Sequence, residues 1–362
     1  MALEQQVSAA RKLIYRDGYD MSFGELSRLY EKNELIMYPE YQRLFRWNET
    51  QRTRFLESLL LNVPIPPIFV FAQKNGVWEL VDGLQRVCTV LEFMGMLKNY
   101  DGTLRDRFVC DGTTLLPDLK GKRWPIDGEP PAQDHLSQAM QIYIQRARLR
   151  VEILGQETDA NTKFELFQRL NSGGTELSEQ EIRNCIIVSL NPEAARKINS
   201  AANFQDFVEI TGIGSNQIER QARPEMVVRF IVLRNKSYLP GMDVHEYLSK
   251  SVSEICVDET FDWDKEIKFF DNTMKTLRGC FGDDVFKKNN RFSIAFFEFI
   301  SLGVSKYIER SGSLIDQNYI ADRIRAIPSL SEAEQYTGIG IRGTLRLSKF
   351  VLPLAESQFA GL

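Results

Sequence analysis

The sequence predicts an α+β protein in which a small mixed sheet lies in the N-terminal part and the C-terminal part is mainly helical. Short apolar runs bounded by Gly, Pro or Asn, which are typical of strands, are concentrated before residue 155. Beyond Asp159 the apolar residues recur at three- and four-residue steps, the spacing of helices. A chain of 362 residues, 43% of them hydrophobic, can bury two cores. We therefore predict an α/β domain over 1–158 and a helical domain over 159–362.

Composition and charge exclude several classes of protein. The formal net charge of −4 argues against wrapping DNA by bulk electrostatics, although a local basic groove is still allowed. The five cysteines are scattered and never spaced as C-x-x-C, so neither a disulfide framework nor a zinc site is indicated. The N-terminal residues lack the apolar segment of a signal peptide, and the apolar run 292–304 is too short to span a bilayer. We expect a soluble protein of a reducing cytoplasm.

Local signals predict the elements of the N-terminal part. Ser22 and Asn48 each precede Glu or Gln by three residues, the spacing of a capping box at a helix start. The prolines in 62–67 require an extended chain, and the Asn75-Gly76 pair predicts a hairpin turn. The predicted helices are 4–16, one from Ser22, one from Asn48, one after Gly83 and 136–147; the predicted strands are 36–38, 68–72, 77–81, 108–110 and 149–154. The rest of 100–135 is expected to be irregular.

The C-terminal part is predicted to be helical. Ser178 and Glu181 repeat the capping-box spacing and start one helix. Further helices are predicted at 192–200, 223–235, 261–278, 291–309, 316–326 and 342–357. No period of about twenty to fifty residues recurs, so a solenoid is excluded.

The polar residues that say most about function lie where the strand 77–81 passes into the following helix. Asp82, Gly83, Gln85 and Arg86 are concentrated at this joint. A strand-to-helix joint directs backbone N–H groups and the positive end of the helix dipole to one place, which suits an anion. Asp82 can hold a metal or orient water, Gly83 allows close approach to the backbone, and Arg86 can bind a phosphate. The alternative is that Asp82 is an ordinary N-cap and Arg86 lies on the solvated face of the helix.

A second candidate segment is the loop 39–47, which is rich in arginine and aromatic residues. Arg43, Arg46 and Trp47 bring two guanidinium groups and a stacking ring to one short stretch. A nucleotide needs charge partners for its phosphates and an aromatic face for its base, and this loop offers both. The alternative is a solvated arginine pair with Trp47 anchoring the loop in the core. Gln42 is ambiguous by itself.

Several segments together resemble a known family. They are Tyr41-Gln42-Arg43 with Trp47, Pro64-Ile65-Pro66, Asp82-Gly83-Leu84-Gln85-Arg86 with Thr89, Leu170-Asn171-Ser172-Gly173-Gly174, Leu177-Ser178 and Glu181-Ile182-Arg183-Asn184. In this order, across residues 20–190, they resemble the N-terminal domain family of GmrSD-type restriction endonucleases. The resemblance implies a ParB/sulfiredoxin-like fold for the first domain. It also implies a place in a bacterial or archaeal restriction or anti-phage defence system.

The family's Asp-Gly-Gln-Gln-Arg motif is associated with nucleotide binding and hydrolysis, so the resemblance implies roles for the joint. It implies Asp82, Gln85 and Arg86 as catalytic residues. Because Asp82 is the carboxylate at the joint, it is also the expected ligand of a Mg²⁺ ion. The implied nucleotide-binding residues are Gln42, Arg43, Arg46, Trp47, Gly83, Thr89 and Asn171. The chain departs from the motif at Leu84, where the family usually has glutamine.

Three further residues, Cys88, Asn171 and Arg183, have both a functional and a structural interpretation. Sulfiredoxins resemble this joint but have their nucleophilic cysteine at the position of Leu84, whereas Cys88 lies further into the helix, where a free cysteine is more often an apolar filler. A sulfinic reductase is therefore not expected. Asn171 lies in a turn that also suits a simple linker between helices. Arg183 is interpreted as structural unless it reaches the same pocket.

Two functions from different classes remain. The first is a nucleotide-binding, NTP-hydrolysing module of a prokaryotic restriction or anti-phage defence system, with an NTP as substrate or ligand and Mg²⁺ as its metal. The alternative is a non-enzymatic DNA-sensing or regulatory protein that keeps the fold without turnover, for which Leu84 is the motivating residue. The two histidines, His135 and His245, are far apart in the sequence and lack the pattern of a His-based metal nuclease. Cutting would therefore require a separate nuclease or effector subunit, and we expect DNA but no membrane among the other partners.

Overall fold

The computed structural model describes residues 3–5, 16–37, 45, 47–73, 75–99, 102–126, 128–154, 178–213, 222–312, 315–338 and 340–360. The chain divides into two compact units, Met1–Glu176 and Leu177–Leu362. The domain boundary predicted after residue 158 lies in 155–177, outside the described residues, so that boundary stays a prediction.

A five-stranded mixed sheet organises the first unit, as predicted for an α+β fold. Its strands are β1 (Arg16–Ser22), β2 (Leu35–Ile36), β3 (Ile68–Ala72), β4 (Trp78–Asp82) and β5 (Arg148–Leu154), in the order β1-β5-β3-β4-β2. β3 runs antiparallel to β4 and parallel to β5, while β1 is antiparallel to β5 and β2 is parallel to β4. The Asn75-Gly76 hairpin between β3 and β4 is confirmed, and Gly76 adopts a positive φ of 82°.

Four helices form the core of this unit with the sheet. They are α1 (Phe23–Glu31), α2 (Glu49–Leu60), α3 (Leu84–Phe93) and α4 (Gln138–Arg146). The capping boxes predicted at Ser22 and Asn48 are both present, and Ser137 caps α4. Apolar residues of all four helices form one buried cluster with strand residues that include Ile68 and Val70, both fully buried. Because this cluster holds α3 on the sheet, it fixes the place where β4 passes into α3.

Parts of the N-terminal prediction are wrong. The predicted helix 4–16 fails at Arg16, which begins β1, and 6–15 lies outside the described residues. Residues 108–110 form no strand. They lie in an irregular segment, where the Cys110 N–H donates to the carbonyl of Lys122 (2.9 Å) and the Phe108 ring packs 5.2 Å from that of Phe93. The apolar character of this stretch therefore reflects burial against α3 and not membership of the sheet.

In its described residues, the second unit is helical apart from loops and one small hairpin, β6 (Lys287–Lys288) and β7 (Arg291–Phe292). Its helices are α5 (Glu179–Leu190), α6 (Pro192–Ala201), α7 (Gln205–Thr211), α8 (Ala222–Asn235), α9 (Val244–Val257), α10 (Trp263–Phe281), α11 (Ile294–Ser311), α12 (Gln317–Ala326), α13 (Ser331–Tyr336), α14 (Gly343–Arg346) and α15 (Leu352–Gln358). The predicted helix 342–357 is interrupted by a π-helical turn, Leu347–Val351. Pro353 lacks the N–H that a regular helix would direct to the carbonyl of Lys349. Among the described residues, no helix is both long and apolar enough to cross a membrane.

Candidate functional site

The joint between β4 and α3 depends on a glycine. Gly83 has a positive φ of 98°, and a Cβ placed on it would lie 2.3 Å from Cγ2 of Ile68. A side chain at this position would therefore be strained in its backbone and would also overlap the core. The tight turn lets the chain pass from Asp82, the last residue of β4, to Leu84, the first residue of α3, in one residue.

The N-terminus of α3 differs from the other helix starts of its unit. Ser22, Asn48 and Ser137 each accept a hydrogen bond from a backbone N–H of their helix, but α3 begins at Gly83 with no side-chain cap among the described residues. The alternative in which Asp82 is an ordinary N-cap is therefore wrong. Among the described residues, no side chain accepts a hydrogen bond from the first N–H groups of α3, so these donors and the positive end of the helix dipole can serve a bound anion.

Arg86 lies over this joint and is mostly buried, with 15% of its side chain exposed. Its Nη2 donates to the carbonyl of Pro67 (3.0 Å) and to Oδ2 of Asp82 (3.1 Å). The alternative that Arg86 points into solvent is therefore wrong. Its Nε is buried and has no partner among the residues that the structure describes. Arg86 thus ties the segment 62–67 to the joint and brings a positive charge beside the start of α3.

Gln85 links the joint to the aromatic loop. The backbone N–H of Trp47 donates to Oε1 of Gln85 (3.1 Å), and the Trp47 ring packs 5.5 Å from that of Phe55 on α2. Two of the segments singled out by the sequence therefore meet here. Thr89, one helical turn further on, is fully buried, and its hydroxyl donates to the carbonyl of Gln85 (2.7 Å). The Thr89 hydroxyl is therefore used in a hydrogen bond within α3.

The structure does not test the remaining candidate residues. Gln42, Arg43, Arg46 and Asn171 lie outside the described residues, so their place in the site stays a prediction. Leu84, where the family motif has glutamine, is half-buried and packs against the core. A longer polar side chain at this position would meet an apolar environment on one side.

Arg183 has the structural role considered for it. It is fully buried in the second unit, where its Nε and Nη2 donate to the two carboxylate oxygens of Glu225 (3.0 and 2.9 Å). Glu225 also lies 3.0 Å from Arg229, which donates to Glu298 (2.6 Å). Arg346 donates to the other oxygen of Glu298 at 2.7 Å. Local sequence patterns do not predict this buried network. Only Glu225 and Arg229 are one helical turn apart, whereas the other contacts join residues that are 42, 69 and 48 positions apart.

The described residues contain no group of three or more His, Cys, Asp or Glu side chains that could hold a metal ion. Mg²⁺ is often held by one or two carboxylates together with substrate phosphates and water. The single carboxylate of Asp82, 26% exposed at the joint, fits that mode of binding, although it also pairs with Arg86.

Cys88 and the two histidines have local roles. Burial raises the pKa of the Cys88 thiol well above its usual range, so this cysteine is a neutral filler of the core. His135 accepts a hydrogen bond at Nδ1 from the N–H of Ala132 (3.3 Å). Burial, together with the charge of Arg183, lowers the pKa of His245.

The first unit thus has a strand-to-helix joint with the features of an anion site, built from Gly83, Arg86 and the start of α3. Residues 26–188 match the sequence model of the GmrSD restriction endonuclease, N-terminal domain. The family resemblance is thereby confirmed over this segment, which is slightly less than half of the chain. No curated protein and no solved structure matches the chain.

Proposed function

We propose that the first unit is a nucleotide-binding, NTP-hydrolysing module of a prokaryotic restriction or anti-phage defence system, with a ParB/sulfiredoxin-like fold. The observation that carries the proposal is the joint, where Arg86 and a helix N-terminus without a side-chain cap in the described part of the chain meet at a glycine turn. The family match supports the link to restriction. Any DNA cleavage is assigned to a separate nuclease or effector subunit.

Each residue of the joint has its own expected role in binding a nucleotide. The start of α3 and Arg86 would hold phosphate oxygens, since both supply positive potential and donors. Gly83 leaves room for the ligand to approach the backbone. Trp47, whose backbone N–H donates to Gln85 and whose ring packs on Phe55, would stack the base on the part of its ring that is left exposed. Phosphoryl transfer needs positioning and charge stabilisation more than covalent chemistry by the protein.

Asp82→Asn is expected to abolish NTP hydrolysis while the fold is retained. The substitution keeps the size of the side chain but removes the charge that would hold Mg²⁺ or orient the attacking water. Phosphate release would be measured for ATP, CTP, GTP and UTP, with Mg²⁺ or EDTA, and with and without DNA. Full activity in the Asn variant would move the catalytic role away from Asp82.

A non-enzymatic DNA-sensing protein is the second candidate, and Leu84 is the feature that favours it. If the wild-type chain releases no phosphate under any condition but binds a nucleotide, Leu84→Gln is the informative variant. If the glutamine restores NTP hydrolysis, the departure from the family motif at residue 84 is the cause of the lost activity. If the protein binds DNA with an affinity that no nucleotide changes, the non-enzymatic DNA-sensing function is favoured.

Arg86→Ala is expected to weaken nucleotide binding by roughly ten- to a hundredfold, because a hydrogen bond from a charged donor contributes about 1.5–3 kcal/mol. It should also lower the free energy of unfolding by about 1–2 kcal/mol, since the carbonyl of Pro67 loses its donor. Calorimetry and urea unfolding measure the two effects separately. Arg28→Ala, which removes the same charge from an exposed position on α1, is the control and should change neither. Equal nucleotide affinity in the Arg86 and Arg28 variants would assign Arg86 to the fold alone.

A further inference from the structure

We propose that Glu92, Arg52 and Arg105 are positioning residues for nucleotide binding: they hold the ring of Phe45 and thereby keep Trp47 on Gln85. The inference rests on the proposed function, because it assigns these residues to the same site. None of the three was singled out by the sequence.

The cluster is organised around a buried carboxylate. Glu92, near the end of α3, has 2% of its side chain exposed and pairs with two arginines from different segments. Arg52 of α2 donates to one of its oxygens, and Nε of Arg105, from the irregular segment that follows α3, lies 2.7 Å from the other. A carboxylate removed from water needs such partners to remain charged. Glu92 therefore fixes the position of both guanidinium groups.

Both guanidinium groups lie against the same aromatic ring. The Cζ atoms of Arg52 and Arg105 are 5.8 and 5.2 Å from the ring centroid of Phe45. Arg52 also lies 4.7 Å from the ring centroid of Phe108. These distances are within the range of about 6 Å in which a cation is attracted to an aromatic face. The ring of Phe45 is thus held on the surface of α2 and α3 by two charged groups that are themselves fixed.

Phe45 lies two residues before Trp47, so its attachment bears directly on the joint. Gln85 and Glu92 are seven residues apart on α3, which places them on one face of that helix. One face of α3 therefore fixes the loop at two points: the Trp47 N–H on Gln85 and, through the arginines, the Phe45 ring near Glu92. Weakening the contact between the arginines and the Phe45 ring should therefore shift Trp47 relative to Gln85.

The test uses the full-length chain labelled with 5-fluorotryptophan, with the ¹⁹F resonance of Trp47 assigned from Trp47→Phe. In Arg105→Ala we expect this resonance to shift in the nucleotide-free protein, and affinity for the best-bound of ATP, CTP, GTP and UTP to fall about tenfold. Arg105→Lys keeps the charge but loses the planar group over the ring, so it should behave like the alanine variant. Arg105 is 41% exposed, so neither change should prevent folding.

Two controls separate positioning from a general charge effect. Arg54→Ala removes an exposed positive charge from the same helix as Arg52 and should leave resonance and affinity unchanged. Phe45→Leu keeps an apolar side chain without the aromatic face and should reproduce the Arg105→Ala result. Wild-type affinity in Arg105→Lys, or an unmoved Trp47 resonance in Arg105→Ala, would overturn the inference. Failure of the proposed function would show earlier and separately, as a wild-type chain that binds none of the four nucleotides.

Discussion

Replacing Glu225 by alanine is expected to lower the free energy of unfolding of the helical unit by about 3–5 kcal/mol, the cost of removing one partner from a buried ion pair. Glu225 accepts two hydrogen bonds from Arg183 and lies 3.0 Å from Arg229. The variant would leave both guanidinium groups buried with a positive charge and no carboxylate between them. Urea unfolding followed by circular dichroism measures the loss, and hydrogen exchange of α5 and α8 locates it.

The charge state of Glu225 determines what the substitution removes at neutral pH. Burial alone would raise its pKa, but Arg183 and Arg229 outweigh that effect, so its pKa lies below the usual range. A carboxylate with a lowered folded-state pKa adds stability that is present above its unfolded pKa of about 4.3 and is lost as the pH falls further. Unfolding at pH 7 therefore compares a fully charged network with one that has lost its central anion.

The control for Glu225→Ala is an exposed pair of the same chemistry in the same unit. Arg310 donates to Glu356 at 2.7 Å, but the two side chains are 41% and 61% exposed. Glu356→Ala should therefore cost less than about 1 kcal/mol. Adding Arg183→Met to Glu225→Ala should recover part of the loss, because one buried charge is removed. Equal costs for the two glutamates would contradict the importance given to burial.

This network also bears on where the family-matched segment ends. Arg183 lies within the matched residues 26–188, whereas Glu225 lies outside them. The helix α5, which closes the matched segment, is therefore stabilised by a residue that the match does not include. A fragment ending at residue 188 would expose the Arg183 side chain without its carboxylate partner.

Features that depend on a few neighbouring residues could be predicted from the sequence. The capping boxes at Ser22, Asn48 and Ser178 follow from a polar cap and a Glu or Gln three residues later, and all three are confirmed. The β3–β4 hairpin follows from the Asn75-Gly76 turn. In the same way, the strand-to-helix joint at Gly83 was visible because a short apolar run ends at Asp82-Gly83 and is followed by apolar residues at helical spacing.

Features that depend on distant partners could not be predicted. β1 contains Gly18 and two aspartates, poor strand formers, and it exists because it pairs along its length with β5, more than a hundred residues later. For the site, the sequence indicated Gln85, Arg86 and Trp47 but could not predict which residues they contact. The contacts with the Trp47 N–H and the Pro67 carbonyl join segments that are 38 and 19 residues apart. Local patterns carry no information about such contacts.

Gly83→Ala is expected to lower the free energy of unfolding of the first unit by about 2–5 kcal/mol. Two costs contribute, one from the backbone conformation and one from the overlap of the added methyl group with the core. A positive φ costs a side-chain-bearing residue roughly 1–2 kcal/mol, and forcing a methyl group into a packed site about 1–3 kcal/mol more. The added Cβ would lie 2.3 Å from Ile68, a fully buried member of the core.

Gly76 provides the matched comparison for Gly83, because it has a similar φ of 82° but an added Cβ would meet no atom of the described residues within 4 Å. Gly76→Ala should therefore carry the backbone cost alone, and the difference between the variants measures the close approach of Gly83 to Ile68. Trp47, Trp78 and Trp124 all lie in the first unit and only Trp263 in the second, so tryptophan fluorescence during urea unfolding reports mainly on the first unit. Equal losses in the two variants would mean that the core accommodates the methyl group. Glycine at position 83 would then be required for its backbone conformation and for access to the start of α3, and not for packing against β3.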